Sequence, residues 1–191
     1  MIHPLLQKQD ELFTEATQLL QQIIIPTFSE FGNVIIGGSY VYRLLTYPDI
    51  DIDIVSDDVS DVTYKKLCDK VTSLDSVSEF KTLDRTERPV IGTRPKGYWL
   101  SPKIQYGNNL WNIDIWFQKP EWNTGNTLMY KDALLKISDE QRIVILTLKN
   151  ELRENDLYGV GKEFQSVDVY DAVLNSGAYT LEMLRTYKHS L

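Results

Sequence analysis

Three aspartates alternate with isoleucine in one short stretch of the chain. Asp49, Asp51 and Asp53 occupy every second position of "DIDIDIV", and isoleucine and valine favour β-strands. Side chains two positions apart on a strand share a face, so the carboxylates would stand about 6–7 Å apart in a row. Carboxylates this close repel one another, and an all-oxygen ligand set favours Mg²⁺ or Mn²⁺ as the compensating cation.

Two other interpretations of this strand have to be weighed. The carboxylates could line a solvated face that binds no ligand. An EF-hand loop starting at Asp49 is excluded, because Ile54 stands where that loop needs glycine and Ser60 where it needs glutamate. The choice between a solvated face and a metal site therefore depends on what surrounds the strand.

A glycine-rich turn precedes the acidic strand. Gly37 and Gly38 let the backbone approach a ligand closely. Ser39 is predicted to open a short helix over "SYVYRLL", whose first N–H groups and dipole would favour a phosphate. Arg43, four residues later, either contacts that phosphate or pairs with Asp49, and we favour the pairing.

A further acid stands on a later predicted strand. The segments "GYWLSPKIQYG" and "LWNIDIWF" are separated by "GNN", which is typical of a β-hairpin. The alternation of the second strand places Asn112, Asp114 and Trp116 on one face and apolar residues on the other.

Together, "IIGGSYVYRLLTYPDIDIDIV" and "NIDIW" resemble the signature of the polymerase-beta-like nucleotidyltransferase superfamily, over residues 35–117. The resemblance implies a hydrophobic strand, a Gly-Gly or Gly-Ser turn, a short helix, an Asp-x-Asp strand and a third Asp. It further implies metal-dependent transfer of NMP from an NTP to a hydroxyl. One departure from the pattern is Ile50, where a serine or threonine commonly precedes the first acid.

The resemblance also assigns roles to individual residues. Asp51, Asp53 and Asp114 would bind two Mg²⁺ or Mn²⁺ ions, and Asp114 would help to take the proton from the acceptor hydroxyl. The pair Asp49/Asp51 is the alternative register; we favour Asp51/Asp53, with Asp49 as an additional ligand or the partner of Arg43. The nucleotide, expected to be ATP, would be held by four residues of the turn and its continuation: Gly37, Gly38, Ser39 and Arg43.

Several other residues are candidates for lesser roles. Loop cations could contact phosphate or an acceptor, tryptophans could stack on a ring, and a segment of the helical tail could close over the nucleotide. In each case a solvated loop, a core position or an ordinary tail residue is the simpler interpretation. These candidates are Arg88, Arg94, Lys96, Trp99, Trp111, Trp116, Trp122, Tyr158 and Lys162.

The elements that would position these residues follow from periodicity and capping signals. We predict a helix over residues 4–25 that Pro26 ends, a buried strand at "NVIIGG", and a helix over 61–74 that buries Cys68. Ser138 opens a capping-box helix, Gly177 ends another, and a last helix begins near Thr180. The predicted fold is α/β (α+β): a nucleotidyltransferase-type mixed sheet flanked by helices, followed by a C-terminal helical segment.

The length and composition of the chain predict its domain organisation, its cellular location and the kind of partner it binds. The 191 residues would form a catalytic domain over 1–120 and a helical segment over 121–191. One cysteine and the lack of a signal or membrane-spanning pattern predict a cytoplasmic protein. The net charge of −7 argues against broad nucleic-acid binding, although residues 81–103 carry six basic side chains against two acids.

The sequence therefore predicts a nucleotidyltransferase that binds a nucleotide and a small-molecule acceptor resembling an antibiotic. One alternative is a minimal member that modifies RNA or a protein, as in toxin–antitoxin systems. Another is a non-catalytic relative that binds a nucleotide or a partner, because a fold does not guarantee an activity.

Overall fold

The computed structural model describes residues 2–88, 95–123, 131–159 and 161–190. Arg94, one of the candidate loop cations, lies outside the described residues. The chain divides into two compact units. One contains the sheet and comprises Phe13–Val41 and Tyr47–Asn126; the other comprises Met1–Leu12, Tyr42–Thr46 and Thr127–Leu191.

A five-stranded mixed sheet forms the centre of the first unit. The strands are β1 (Asn33–Ile36), β2 (Asp49–Val55), β3 (Val77–Asp84), β4 (Tyr98–Tyr106) and β5 (Asn109–Gln118). Strand β2 runs parallel to β5, and the other neighbouring pairs are antiparallel, in the order β1-β2-β5-β4-β3. This confirms the predicted mixed sheet with flanking helices.

The two faces of the central strands differ in polarity. The isoleucines of β2 are buried and the three aspartates between them are partly exposed, as the alternation predicts. Strand β1 was expected to be buried, but it pairs only with β2 at the edge of the sheet, and Ile35 is 42% exposed. An edge strand has one neighbour instead of two, which accounts for the difference.

The first helix does not end where Pro26 was expected to stop it. Helix α1 (Pro4–Leu19) continues into a π-helical turn, Leu20–Ile24, and then into α2 (Ile25–Phe28). Pro26 falls in the first turn of α2, a position where its missing N–H costs little. The π turn, which buries Leu20 and Ile24, therefore lets the chain continue past the proline.

Helix α4 (Asp61–Thr72) packs on β3 and β4. The rings of Tyr64 and Tyr98 stack with centroids 3.9 Å apart, and the Tyr98 hydroxyl donates to Asp61. Cys68 is partly buried in this helix, and desolvation raises the pKa of its thiol. These properties fit the packing role predicted for Cys68 and make a reactive thiolate unfavourable.

A carboxylate in α1 holds the β4–β5 hairpin. Glu15 accepts a 2.8 Å hydrogen bond from the indole N–H of fully buried Trp111 and bonds of 3.0 and 3.1 Å from the Asn109 amide. We expect Glu15→Ala to lower the free energy of unfolding by about 2–3 kcal/mol, because it leaves the Trp111 N–H buried without an acceptor. Urea denaturation measures this.

The matched control is Glu11→Ala in the same helix. Glu11 is exposed and accepts a hydrogen bond from the Gln7 side chain, so its removal should cost less than about 0.5 kcal/mol. Equal losses for the two alanine variants would contradict the role given to Glu15.

The second unit is helical in its C-terminal part. It contains α5 (Lys131–Leu134), α6 (Asp139–Glu154), α7 (Ser166–Ser176) and α8 (Leu181–His189). The capping box of Ser138 and Gln141 is present, and Gly177 has the left-handed φ of 67° expected after a helix end. Within the described ranges, no helix is long and apolar enough to cross a bilayer.

A buried lysine ties α6 to the segment Tyr42–Thr46 of the same unit. Lys149 is 1% exposed, and its ammonium donates a 2.6 Å hydrogen bond to the Leu44 carbonyl. The same ammonium lies 5.9 Å from the ring centroid of Tyr158 and 5.7 Å from that of Tyr170. A carbonyl and two aromatic faces thus compensate the burial of this charge.

Candidate functional site

The strand register places the predicted acids on neighbouring strands. Asp51 of β2 lies directly beside Asp114 of β5, while Asp49 lies beside Asn112 and Asp53 beside Trp116. Parallel neighbouring strands lie about 4.8 Å apart, so side chains on the same face in register are close neighbours. The sheet thus brings Asp51 and Asp114 together, with Asp49 and Asp53 on either side along β2.

Amide and hydroxyl groups connect part of this carboxylate row. The Asn112 amide donates to Asp49 at 2.8 Å and to Asp114 at 3.4 Å, while its own oxygen accepts from Ser101 at 3.0 Å. Asn112 therefore fixes Asp49 and Asp114 relative to each other. Its position on the face of Asp114 was predicted, but its bonds to two acids were not.

Asp53 lies at the other end of the row in a more apolar setting. Its carboxylate accepts one hydrogen bond from the Asn123 amide, at 3.4 Å. Desolvation by burial raises the pKa of Asp53 to about 6, and the bond from Asn123 opposes this rise. Burial, together with the negative charge of Asp49, also raises the pKa of Asp114.

The glycine turn lies against the central aspartate. The Gly37 N–H donates a 2.9 Å hydrogen bond to the Asp51 carbonyl, so this N–H belongs to the sheet and is not available to a phosphate. Gly38 has φ +61°, and a Cβ there would overlap an Asp51 carboxylate oxygen and lie 2.7 Å from its Cγ. The absence of a side chain at Gly38 is what admits the Asp51 carboxylate.

The helix after this turn is shorter than expected. Helix α3 spans only Gly38–Val41, and Arg43 follows it with a left-handed φ of 54°. A single turn carries little dipole, so a phosphate here would depend on local N–H groups. Tyr40 holds the turn to α1: its ring stacks on Phe13 with centroids 4.8 Å apart, and its hydroxyl bonds Thr17 at 3.0 Å.

Arg43 forms an ion pair with Asp10. Its guanidinium lies 3.8 Å from the Asp10 carboxylate, and both side chains are more than half exposed. An exposed pair of this length contributes little to stability. Asp49, the partner favoured for Arg43 from the sequence, accepts a hydrogen bond from Asn112.

A divalent cation fits this set of donors by chemistry. The site offers carboxylate oxygens on adjacent strands, and these are the ligands that Mg²⁺ prefers. Burial raises the pKa of two of the carboxyl groups, those of Asp53 and Asp114. Among the described residues, no group of three or more His, Cys, Asp or Glu forms a ready-made metal site.

The remaining candidates lie in varied surroundings. Trp111 is core, whereas Trp99, Trp116 and Trp122 are partly exposed. In the other unit, Lys162 pairs with Asp156 at 2.5 Å and Tyr158 bonds Ser166 at 2.5 Å. Asn123 was not predicted as a partner of an acid, because no periodic pattern marks a residue in an irregular segment.

Comparisons with known proteins identify the fold of the chain. No protein-family model and no curated protein sequence matches the chain. A solved cytoplasmic RNA terminal U-transferase aligns over 90% of this chain with 14% identity and a TM-score of 0.58. The Cid1 poly(U) polymerase aligns over 86% with 17% identity and a TM-score of 0.62. The chain has the fold of the polymerase-beta-like nucleotidyltransferases.

A further solved structure with the nucleotidyltransferase fold is similar to the chain. The non-canonical poly(A) polymerase GLD-2, solved with GLD-3, aligns over 98% of the chain with 14% identity and a TM-score of 0.56. The chain spans 51%, 50% and 64% of the three solved chains in turn. The resemblance expected from the Gly-Gly turn and the aspartates is thus confirmed for the fold.

The raised pKa of Asp53 predicts a pH-dependent instability of the metal-free nucleotidyltransferase fold. The folded state holds this proton up to about pH 6, whereas an ordinary aspartate releases it near pH 4. The folded state therefore binds more protons between these values, and its stability falls as pH rises through them. With EDTA at pH 7.5, Asp53→Asn should raise the free energy of unfolding by about 2–3 kcal/mol.

Two comparisons check this expectation. Urea denaturation at pH 4 should show little difference between Asp53→Asn and wild type, because the carboxylate is then neutral in the folded state. Asp57→Asn, an exposed position just beyond β2, should change stability little at either pH. A variant that is no more stable than wild type at pH 7.5 would contradict the assigned burial of charge.

Proposed function

We propose that this chain transfers NMP from an NTP to the terminal hydroxyl of an RNA strand, in a reaction that depends on Mg²⁺ or Mn²⁺. The observation that carries the proposal is the placement of Asp51 beside Asp114 in strand register, with the Gly38 turn against Asp51. The fold supports it, because its solved neighbours are described as RNA terminal uridylyl transferases and poly(A) polymerases.

The RNA acceptor replaces the small-molecule acceptor expected from the sequence. That expectation depended on the compact chain and its acidity, and no comparison supports it. The neighbours are described as acting on RNA, including a terminal uridylyl transferase from Trypanosoma brucei at 12% identity and a TM-score of 0.53. Since these neighbours include poly(U) and poly(A) polymerases, ATP is one candidate nucleotide among four.

The proposed reaction gives separate roles to the aspartates and to the glycine turn. Asp51, Asp53 and Asp114 would hold the divalent ions, with Asp49 fixed beside them by Asn112. Bound Mg²⁺ would neutralise charge on the attacked phosphate and on the leaving pyrophosphate. Phosphate contacts from the turn would fall to Gly38 and Ser39, because Gly37 donates its N–H to Asp51.

Asp114 is the residue we assign to the acceptor. Burial and the charge of Asp49 raise its pKa, and a higher pKa makes a carboxylate a better proton acceptor near neutral pH. It would therefore orient the terminal hydroxyl and accept its proton as the oxygen attacks the α-phosphate. The bond to pyrophosphate breaks as the new phosphodiester bond forms.

A labelled-transfer assay tests the proposal. The protein is incubated with a 15-nucleotide RNA, each of the four labelled NTPs, and Mg²⁺ or Mn²⁺, and products are separated by length. We expect extension of the RNA, and none when its last nucleotide lacks the 3′ hydroxyl. Label transferred only to small hydroxyl compounds would contradict the RNA acceptor, and no transfer to any acceptor would favour a non-catalytic relative.

A further inference from the structure

A tryptophan flanked by two lysines lies beside the carboxylate row. The Trp122 ring centroid is 4.9 Å from the Lys96 ammonium and 5.3 Å from the Lys119 ammonium. All three side chains are partly exposed. We call these residues the Lys–Trp cluster. Both distances are within the range in which a ring attracts a cation.

The backbone fixes this cluster at one end of the sheet. Lys119 directly follows β5, and a 3₁₀ turn, Pro120–Trp122, presents the ring. Lys96 reaches the same end because Gly97 packs closely on β5, where a Cβ would lie 2.5 Å from the Phe117 carbonyl oxygen. Asn123, the next residue after the ring, donates its amide to Asp53. The cluster is therefore joined to the carboxylate row at Asp53.

The two positive charges of the Lys–Trp cluster favour the binding of an anion. Two ammonium groups share one ring, and in the described part of the chain neither forms an ion pair. The ring compensates each positive charge only in part. This local excess of positive charge contrasts with the net charge of −7 for the whole chain. A ligand that brings both negative charge and a flat ring would match the two lysines and the tryptophan together.

We propose that the Lys–Trp cluster binds the single-stranded RNA acceptor, with phosphodiester groups on Lys96 and Lys119 and a base stacked on Trp122. Basic side chains combined with an aromatic platform are the common means of holding single strands. The inference rests on the proposed function, since it names how the acceptor of that reaction is held. The phosphates of the NTP are assigned elsewhere, to the Gly38 turn beside Asp51.

Binding of a fluorescently labelled 15-nucleotide RNA, measured by anisotropy with Mg²⁺ and without NTP, tests the cluster. Lys96→Gln combined with Lys119→Gln should weaken binding at least about 5-fold and reduce the slope of log affinity against log salt by about 1.4. Trp122→Leu should weaken binding roughly 5- to 150-fold, and Trp122→Phe should restore much of it, because a ring is retained. The matched control combines Lys65→Gln with Lys66→Gln, two exposed lysines of α4, and should leave the slope unchanged.

The outcomes separate this inference from the proposed reaction. RNA binding that depends on the cluster, without any transfer, would support the inference and contradict the proposed function. Transfer to RNA with unaltered binding by both cluster variants would overturn the inference and leave the function. Failure of the wild-type protein to bind RNA would also overturn it. A loss of stabilisation by Mg²⁺ and NTP in thermal melts of the cluster variants, with RNA binding intact, would assign the cluster to the nucleotide and overturn the inference.

Discussion

Replacing Asp51 or Asp114 with asparagine should reduce NMP transfer by at least about 10²–10³-fold. These two acids lie side by side on parallel strands, and the amide keeps the size of the side chain while removing its charge. A neutral oxygen at either position leaves the phosphate charge of the NTP less compensated. The assay is initial-rate transfer of labelled NMP to RNA under saturating Mg²⁺.

Two further measurements make this expectation specific to the site. Asp75→Asn changes the same charge at an exposed position after α4, and its transfer rate should equal that of wild type. The Asp51→Asn and Asp114→Asn variants should both retain the circular dichroism spectrum and melting temperature of a folded protein. Comparing Asp49→Asn with Asp53→Asn then decides the register, because only the ligand should match the loss seen at Asp51. Full activity of Asp51→Asn would exclude the assigned site.

Gly38→Ala should be the most damaging change outside the acids. Its φ of +61° costs an L-residue about 1–2 kcal/mol, and the new Cβ would overlap the Asp51 carboxylate. We expect a loss of about 2–4 kcal/mol in unfolding free energy, or displacement of Asp51 with at least about a 10²-fold loss of transfer. Urea denaturation and the transfer assay distinguish these two routes.

The variant Gly177→Ala separates the cost of a positive φ from the cost of a contact with Asp51. Gly177 has a similar φ of +67°, but nothing lies within 4 Å of the position a Cβ would take. This variant should therefore lose only the backbone contribution, about 1–2 kcal/mol, and keep full transfer activity. If Gly38→Ala behaved in the same way as Gly177→Ala, close contact with Asp51 would not be the reason for the glycine.

Much of the fold was predictable because its strongest signals are periodic. The alternation of Asp and Ile in β2 fixed both the strand and its polar face, and the capping box at Ser138 marked the start of α6. The end of the first helix was mispredicted at Pro26, since a π turn that no local signal announced moved the proline into a first helical turn. Tertiary packing of buried residues there outweighs the local rule.

The candidate site was predictable in its acids and less so in its supports. The resemblance to the polymerase-beta-like nucleotidyltransferases grouped Asp51, Asp53 and Asp114, and the sheet brings Asp51 beside Asp114. The bonds of Asn112 and Asn123 depend on how distant segments meet, which spacing within one strand does not encode. Helix α3 ends at Val41, so Arg43 does not lie on the helix that was expected to carry it. The roles of these residues, the boundary at residue 120 and the cytoplasmic location stay predictions.

The bond from the Gly37 N–H to the Asp51 carbonyl has a consequence for how the strands choose their alignment. A slip of β2 by one residue would turn the acids into the apolar interior, and this is strongly disfavoured. A slip of β2 by two residues against β1 would keep every side chain on its proper face, because "DIDIDI" repeats itself, but would set Asp49 or Asp53 against the glycine turn. The repeat is therefore ambiguous by itself, and the Gly37 bond and the space at Gly38 select the alignment that puts Asp51 there. The glycine turn thus determines which aspartate it contacts, and the separate pairing of β2 with β5 sets that same aspartate beside Asp114.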